Sequence, residues 1–577
     1  MPGYRKHFIA ESANFRRTVL RQPWRWLHYA VSLALLVFRR ISQTLRLRLR
    51  KEAHRGLKQW PEWLDSKPLP AGEPQPLRFP SYAVRGADSR TAELPPVFSA
   101  PADDPETALA HHRFGYCLAA VLQDKAAAQR AARQVAAWIG NAPAKSEPAW
   151  ETYSCCERVV NLAALLAIHP EVQGEIDPEK TRAFFADSLQ WINSHLEYYG
   201  MARTNNHILN NARALVVAGS VLGVSEAVER GLLIFTHMSR SLFLPDGFLR
   251  ERSSHYQWIV TNWLFDTLHF ARATPALAAA AVQALDELSS LSRRVAQASG
   301  ALAASLGDAA THIGDISPDA HPALTLERLR SLYPEALTTP SDVPGRMDDW
   351  LLFSKGADAL VVCGFPASYP IDYTTHGHSD LGSFIWMHQG QPVLVDSGRS
   401  SYAANATPRI QCGPQGHNTI LVNGVGPLAE SVLQAGRWLP TPYAKAHIEL
   451  AMTAGGFRMQ HDGFARMAGV GIHRRTVQLA DDGLIVEDMI EGVADAAIEM
   501  FWHFPPEFAP DDKNLTCIAG AGLCLTVESG AADARWQAAP FAAAYGDEQA
   551  APALCLAWQV TLPCTIKTVF RVSPCAE

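Results

Sequence analysis

Two histidines and two aspartates lie close together in one part of the sequence, among residues that favour β-strands. His376 and His378 are two residues apart, so on a strand both side chains would point to the same face. Asp396 ends one strand-like run and His417 begins another, so neighbouring strands could bring both beside His378. Imidazole and carboxylate are ligand types that zinc accepts. The spacing is compatible with a metal site, and also with polar loop residues or paired core histidines.

A second group of polar residues lies at the start of a predicted helix near residue 205. Asn206 and Asn210 share one face of this helix, and His207 and Asn211 share another. Asparagine has poor helix propensity, so several at one helix start cost stability. Capping by a residue such as Asn205 explains one or two of the asparagines but not four. The run therefore predicts a capping or functional role at this helix start.

Length and composition limit the class of protein. The chain has 577 residues, 48% hydrophobic and 19% charged, which predicts a globular protein with at least two domains. The net charge of −6 excludes a global basic field for nucleic acid but allows a local basic cleft for an acidic polymer. Ten scattered cysteines without a C-x-x-C pair predict buried side chains and no disulfide framework.

The first 59 residues are basic and partly apolar. Arginines flank an apolar run, Trp26 to Phe38, that is too short to cross a bilayer comfortably and lacks a small-residue cleavage site after it. We expect peripheral membrane contact through residues 16–50, as an interfacial helix on anionic lipid. The alternative is an ordinary helix packed on the next domain. Residues 60–104 are Pro-rich and predict a linker.

The remaining chain divides into a helical and a strand-rich part, 105–335 and 345–577. Helical periodicity recurs in the first part, which allows a solenoid, a bundle or an (α/α) toroid. Alternating apolar residues and closely spaced turns in the second part favour an antiparallel β-sandwich. The clearest helices and strands are Ala126–Trp138, Glu157–Ile168, Pro275–Ser292, Asp358–Cys363, Phe384–His388, Val393–Asp396, Thr419–Val422, Arg475–Leu479, Leu484–Asp488 and Ala497–Phe504.

Three runs in the strand-rich part resemble the signature of a known family. HGHSDLGSF from His376, VLVDSG from Val393 and GHNTILVNG from Gly416 are similar to the C-terminal domain of the heparinase II/III-like polysaccharide lyases. The resemblance implies an alginate lyase-like N-terminal (α/α) toroid followed by a C-terminal antiparallel β-sandwich. It also implies a mainly structural zinc and a catalytic histidine beside it. The implied zinc ligands are His378, Asp396 and His417, and the implied catalytic histidine is His376.

The helical part adds further site residues through the same resemblance. Asn206 and His207 match the Asn-His helix that lines the family's substrate cleft. The stretch from residue 246 to 257 resembles the family's Glu-x-Ser-x-x-Tyr-His element, which implies Tyr256 as the catalytic tyrosine. Gln257 departs from the pattern, because histidine is common there. The expected substrate-binding residues are Asn205, Glu251, His255, Tyr402 and Arg409.

This set of side chains suits β-elimination on a uronic-acid polysaccharide. Asn206, assisted by His207, would neutralise the sugar carboxylate and stabilise the enolate-like anion. Tyr256 would act as acid, or as base and acid in turn, and His376 as base when the two groups lie on opposite sugar faces. We therefore predict a polysaccharide lyase with an acidic polysaccharide as partner. We expect it in a bacterial cell envelope, periplasmic or associated with the inner membrane, with a cytoplasmic location as the alternative.

Two alternatives remain open at this level. A uronyl C5-epimerase would form the same carbanion and reprotonate it from the other face. A non-catalytic glycan-binding protein of surface polysaccharide assembly would need none of the catalytic groups, and their presence favours an enzyme. Glycoside hydrolysis needs a pair of carboxylates flanking the bond. No motif marks such a pair, although Glu251 and Asp380 are available.

Overall fold

The computed structural model describes residues 68–70, 77–80 and 104–574. Within the last range the longer gaps are 200–203, 308–311, 338–342, 370–375 and 429–445. The predicted membrane-contact segment and most of the Pro-rich linker lie outside these residues. Of the helices that fall inside them, none combines the length and apolarity needed to span a bilayer.

Helices form the first part of the described chain. They are α1 (Pro105–Ala110), α2 (Gly115–Val121), α3 (Lys125–Gly140), α4 (Thr152–Ile168), α5 (Pro178–Ser194), α6 (His207–Leu222), α7 (Ser225–Leu242), α8 (Ser254–Arg272), α9 (Ala279–Leu306) and α10 (Pro322–Leu332).

Local sequence explains where several of these helices begin. The side chains of Asp124, Asp177 and Ser253 each accept a hydrogen bond from a backbone amide in the first turn of α3, α5 and α8. These residues are favoured N-caps because they satisfy amides that have no partner within the helix. Helices α4, α6 and α8 are buried along almost their whole length, so they form the interior of the helical domain.

Antiparallel strands form the second part. They are β1 (Arg346–Met347), β2 (Trp350–Lys355), β3 (Asp358–Cys363), β4 (Ser368–Tyr369), β5 (Ile385–His388), β6 (Gln391–Leu394), β7 (Ile420–Val422), β8 (Ala446–Thr453), β9 (Gly456–His461), β10 (Val470–Ala480), β11 (Gly483–Gly492), β12 (Asp495–His503), β13 (Ala509–Pro510), β14 (Cys517–Gly520), β15 (Leu523–Glu528), β16 (Asp533–Ala544), β17 (Asp547–Thr561) and β18 (Cys564–Pro574). A short helix, α11 (Ala406–Cys412), lies between β6 and β7.

The strands pair into three sheets. Their orders are β1-β2-β3-β5-β6, β13-β14-β15-β18-β11-β10-β9-β8-β4 and β16-β17-β12-β7. The inward-facing residues of these sheets share one large apolar core that includes Trp386, Trp502 and Phe570. This arrangement has the alternation of buried and exposed positions that the sequence predicts for a sandwich.

An apolar cluster joins the two domains. It combines residues of α8, α9 and α10 with residues of β1, β2, β3 and β5. In this cluster the ring of Phe248 stacks on Trp350 with centroids 5.1 Å apart. Burial of apolar surface between the domains fixes one against the other, and this fixed junction carries the polar site described next.

Candidate active site

Side chains from five separate segments meet where the helical and strand-rich domains face each other. Because the segments come from both domains, the site exists only when the two are packed together. The central residues are Asn206 just before α6, Tyr256 in the first turn of α8, Asp315 between α9 and α10, His376 between β4 and β5, and Tyr402 after β6.

His376 lies at the centre of this group and is buried. Its Nδ1 is 3.0 Å from a carboxylate oxygen of Asp315, and its Nε2 is 3.0 Å from the amide nitrogen of Asn206. The imidazole also stacks on the ring of Tyr256, with centroids 3.5 Å apart and planes 12° from parallel. One imidazole therefore contacts Asp315, Asn206 and Tyr256, all from the helical part of the chain, and its Nε2 also lies 3.3 Å from a carboxylate oxygen of Glu251.

Asn206 is held by Glu251. The backbone amide of Asn206 donates to one carboxylate oxygen of Glu251 at 2.8 Å, and its side-chain amide donates to the other at 2.6 Å. The side-chain oxygen of Asn206 is buried and accepts no hydrogen bond from any described residue. A buried acceptor without a partner is rare in folded proteins, so this oxygen is available to accept a hydrogen bond.

Two tyrosines place their hydroxyl groups side by side. The hydroxyl oxygens of Tyr256 and Tyr402 are 3.3 Å apart, and the hydroxyl of Tyr402 donates to Asp315 at 2.8 Å. The guanidinium carbon of Arg399 lies 3.8 Å from the centre of the Tyr402 ring. Burial, and next the charge of Asp315, raise the pKa of both phenols. Both are therefore protonated at neutral pH.

Asp315 and Arg399 are site residues that the sequence did not single out. The guanidinium Nη1 of Arg399 is 2.9 Å and 3.1 Å from the two carboxylate oxygens of Asp315. Burial raises the pKa of Asp315, but Arg399 and the two neighbouring histidines outweigh it and hold this pKa well below its usual value. Arg399 directly follows the VDSG run, which is a signal that could have found it. Nothing near Asp315 in the sequence marks it.

His207 lies one residue beyond Asn206 and pairs with a carboxylate. Its Nδ1 is 2.8 Å from Glu197, and its ring lies 4.7 Å from the ring of Tyr153. Burial alone would lower the pKa of His207, but the Glu197 carboxylate outweighs burial and raises this pKa to about 9. His207 is therefore a cation at neutral pH, with part of its side chain exposed.

The other asparagines of this run have structural contacts. Asn205 accepts the backbone amide of His207 at 3.3 Å through its side chain, which is a capping contact. Asn210 donates to Glu157 at 2.8 Å, and Asn211 donates to Glu197 at 3.1 Å. Of the four asparagines, Asn206 is thus a site residue, and the other three make capping or buried polar contacts at the start of α6.

His378, Asp396 and His417 form a second, deeper cluster. Each offers one ligand atom, and these atoms lie within 4.8 Å of one another. Nδ1 of His417 is 2.8 Å from Asp396. Nδ1 of His378 and Nε2 of His417 are buried and have no hydrogen-bond partner among the described residues. Two buried imidazole nitrogens without partners beside a carboxylate are the donor set that a zinc ion requires, so these residues fit the metal.

The two histidines of the His-x-His pair do not lie on a strand, which corrects that premise of the sequence analysis. They lie in a loop before β5, yet both contact Asp315. The loop passes close to Arg252, and a Cβ at Gly377 would lie 2.9 Å from the Nη1 atom of that arginine. A shared contact with Asp315, rather than strand alternation, therefore brings the two side chains together.

His255 and Arg409 are the remaining predicted substrate-binding residues. His255 is buried, and its Nδ1 accepts the backbone amide of Ser317 at 3.4 Å. Arg409 is half-buried on α11. Gln257, the departure from the family pattern, accepts the amide of Leu249 at 2.7 Å and donates to the carbonyl of Gly247 at 3.1 Å. It therefore fixes the loop that precedes α8.

The two carboxylates considered for hydrolysis are already engaged. Glu251 binds Asn206 as described, and Asp380 accepts a hydrogen bond from Arg252 at 3.1 Å. Arg252 has a left-handed backbone conformation, with φ of 60°. These contacts give both acids a positioning role within the loops around the site.

Comparison with known proteins places this architecture in a class. Residues 350–559 match the family described as Heparinase II/III-like, C-terminal. This match confirms the resemblance that the sequence motifs predicted for this part of the chain. No curated protein matches the chain in sequence.

Solved structures match most of the chain in fold. A structure of heparinase III is similar with a TM-score of 0.59 and 15% identity, covering 85% of this chain and 80% of that one. A heparan sulfate lyase HepC mutant from Pedobacter heparinus is similar with a TM-score of 0.51 and 14% identity, covering 83% and 78%. At this identity the likeness concerns the fold alone. It confirms the predicted toroid followed by an antiparallel β-sandwich.

Proposed function

We propose that this protein is a polysaccharide lyase that cleaves a uronic-acid polysaccharide by β-elimination. The observation that carries the proposal is the contact of His376 with both Tyr256 and Asn206 at the junction of the two domains. A proton acceptor, a protonated phenol and an amide lie within one small volume. These are the groups that removal of a proton beside a carboxylate requires.

The first step is recognition of the sugar carboxylate. His207 is a cation at neutral pH and follows Asn206 directly, so the two can approach one carboxylate together. Without substrate, the amide nitrogen of Asn206 donates to Glu251 and to His376. The substrate carboxylate would accept the hydrogen bond that the Asn206 amide donates to His376 in its absence. Hydrogen bonds of this kind strengthen as negative charge develops on the substrate.

The second step is proton transfer. In β-elimination the C5–H bond and the C4–O bond break, and a C4–C5 double bond forms. His376 would accept the C5 proton at Nε2, the nitrogen that faces Asn206. Tyr256, which is protonated at neutral pH, would donate its proton to the departing glycosidic oxygen. No atom or electron from outside the substrate and these two side chains is needed.

We also propose that His378, Asp396 and His417 hold a structural zinc ion. When bound, zinc would cross-link the segments that precede β5, follow β6 and precede β7. His378 is two residues from His376, so firm placement of His378 also restrains the loop that carries the base.

The test is ultraviolet absorbance of the purified protein with a panel of uronic-acid polysaccharides. The unsaturated uronate formed by elimination absorbs, whereas the products of hydrolysis and epimerisation do not. We expect rising absorbance with at least one polymer. A flat signal on every polymer, with exchange of the C5 proton in heavy water, would instead identify an epimerase. A flat signal with polysaccharide binding but no exchange would identify a glycan-binding protein.

A further inference from the structure

We infer that Asp315 is a positioning residue for this reaction, which sets the tautomer and orientation of His376 and joins it to the proposed metal ligand His378. The inference rests on the proposed function for its catalytic meaning. Asp315 lies in the segment between α9 and α10, outside every motif that the family resemblance uses. Its carboxylate is almost fully buried at the junction of the two domains.

The hydrogen bonds of Asp315 decide which nitrogen of His376 carries the proton. An ionised carboxylate can only accept, so the Nδ1 of His376, 3.0 Å from Asp315, must be the protonated nitrogen. The amide of Asn206 then donates to Nε2 at 3.0 Å. A carboxylate oxygen of Glu251 lies 3.3 Å from Nε2, and it accepts its own hydrogen bond from the same amide at 2.6 Å. Asp315 therefore fixes the ring of His376 through Nδ1 and leaves Nε2 directed toward the proposed carboxylate-binding group.

The other carboxylate oxygen contacts the metal cluster. It lies 2.9 Å from Nε2 of His378, the nitrogen opposite the one without a partner. A carboxylate on the far nitrogen of a metal-binding histidine fixes the ring and the tautomer of that ligand. One carboxylate thus orients both histidines of the His-x-His pair.

Charge and backbone contacts keep Asp315 in place. Arg399 contacts both carboxylate oxygens, which satisfies a buried negative charge that would otherwise be costly. The backbone amide of Asp315 donates to the carbonyl of His376 at 2.9 Å, and Ser253 donates to the carbonyl of Asp315 at 2.7 Å. At Gly314, where φ is +79°, a Cβ would lie 2.7 Å from the carbonyl oxygen of His376.

These contacts mean that the segment between α9 and α10 fits against the helical domain and the His376 loop at once. The Asp315 carboxylate, which belongs to the helical domain, therefore orients the base His376, which belongs to the strand-rich domain. The same carboxylate also accepts a hydrogen bond from the Tyr402 hydroxyl, so one side chain contacts both histidines and a phenol of the site.

The experiment measures the tautomer of His376 directly. Nitrogen–proton correlation NMR on protein with isotope-labelled histidine distinguishes an Nδ1–H from an Nε2–H imidazole, and the His376→Gln variant assigns the signal. We expect an Nδ1–H tautomer in the wild type and a changed signal in Asp315→Asn. The variant should also lose about 10- to 100-fold in kcat with KM almost unchanged, the usual effect of removing a carboxylate that orients such a histidine.

Asp358→Asn is the matched control. It removes a carboxylate that contacts His388, also at 3.0 Å, on the hairpin between β5 and β6. It should leave the His376 signal and kcat unchanged. An Nε2–H or doubly protonated His376 in the wild type would overturn the inference even if Asp315→Asn failed to fold. An expected NMR result in a protein without lyase activity would refute the proposed function and leave the positioning role intact.

Discussion

Two buried clusters among the described residues combine a carboxylate, an arginine and two histidines. They differ in whether the polar atoms in and around them all have hydrogen-bond partners. In the domain junction, Asp315 contacts Arg399, His376 and His378. Around this group several buried polar atoms lack a partner among the described residues. They include the side-chain oxygen of Asn206, Nδ1 of His378 and Nε2 of His417.

The second cluster lies within the large sheet and is fully paired. Asp488 accepts from Arg475 at 2.7 Å and 3.0 Å and lies 2.6 Å from His473, which in turn lies 2.9 Å from His461. Arg475 uses its remaining nitrogen on the carbonyls of Gly382 and Asn418. Similar side chains thus serve structure where every polar atom is satisfied, and offer ligand contacts where some are not.

The largest effect we expect is loss of turnover when the proposed acid is removed from the junction cluster. Tyr256→Phe deletes a hydroxyl whose contact with Tyr402 is long, so stability should change little. Loss of general acid catalysis should lower kcat by about 10²- to 10⁴-fold. Absorbance on an active polymer measures kcat, and thermal unfolding checks the fold.

Tyr333→Phe is the control for that change. The hydroxyl of Tyr333 contacts Ser292 at 2.6 Å, at the end of the helical domain, so its removal should leave kcat unchanged. Near-normal turnover in Tyr256→Phe would remove this tyrosine from the mechanism and leave Tyr402 as the acid.

Breaking the fully paired Asp488 cluster should lower stability and leave kcat unchanged. Asp488→Asn leaves the buried guanidinium of Arg475 without its counter-charge, which should destabilise the sandwich by about 3–5 kcal/mol. The folded fraction should retain wild-type kcat, because the cluster lies outside the site. Denaturant unfolding gives the stability, and activity at low denaturant gives kcat. A large fall in kcat without destabilisation would contradict the distinction between the two clusters.

Metal removal tests whether zinc binds the two imidazole nitrogens of His378 and His417 that lack hydrogen-bond partners. If zinc fills the His378, Asp396 and His417 cluster, metal at about 100 times its dissociation constant should stabilise the fold by about 2.7 kcal/mol. A chelator should lower the melting temperature of the wild type and leave that of His378→Ala unchanged. Elemental analysis measures the zinc directly. Stable wild-type protein that contains no zinc after growth in its presence would refute the metal assignment.

The sequence predicted the fold well because local patterns survive in the tertiary structure. The helix predicted at Ala126–Trp138 is α3, Lys125–Gly140, and the strand predicted at Asp358–Cys363 has those bounds. Ala-rich amphipathic helices and alternating strands carry their own periodicity. Pattern alone left toroid, bundle and solenoid open, because helix order in space depends on long-range packing.

The site was less accessible from the sequence, for a physical reason. Asn206, Tyr256 and His376 belong to recognisable motifs, and the structure brings them together. Asp315 lies in no motif, and its role depends on where the chain between α9 and α10 meets a loop of the other domain. His255, which was expected at the substrate, accepts a hydrogen bond from the backbone amide of Ser317, two residues from Asp315.

The smallest effect concerns pH and the pairing of His207 with Glu197. The folded-state pKa of His207 is raised to about 9, so its contribution to stability is complete below its usual pKa and is lost as pH rises through about 9. Burial raises the pKa of Glu197, but His207 lowers it more, so that contribution is lost as pH falls. The side chain of His207 is 32% exposed, so the pair should contribute about 1 kcal/mol or less to stability.

In Glu197→Gln, His207 should lose its proton at lower pH, and the alkaline limb of kcat/KM should move in the same direction. NMR titration of His207 and a pH profile of activity measure the two shifts. An alkaline limb that stays in place while the His207 titration moves would show that its charge does not assist Asn206.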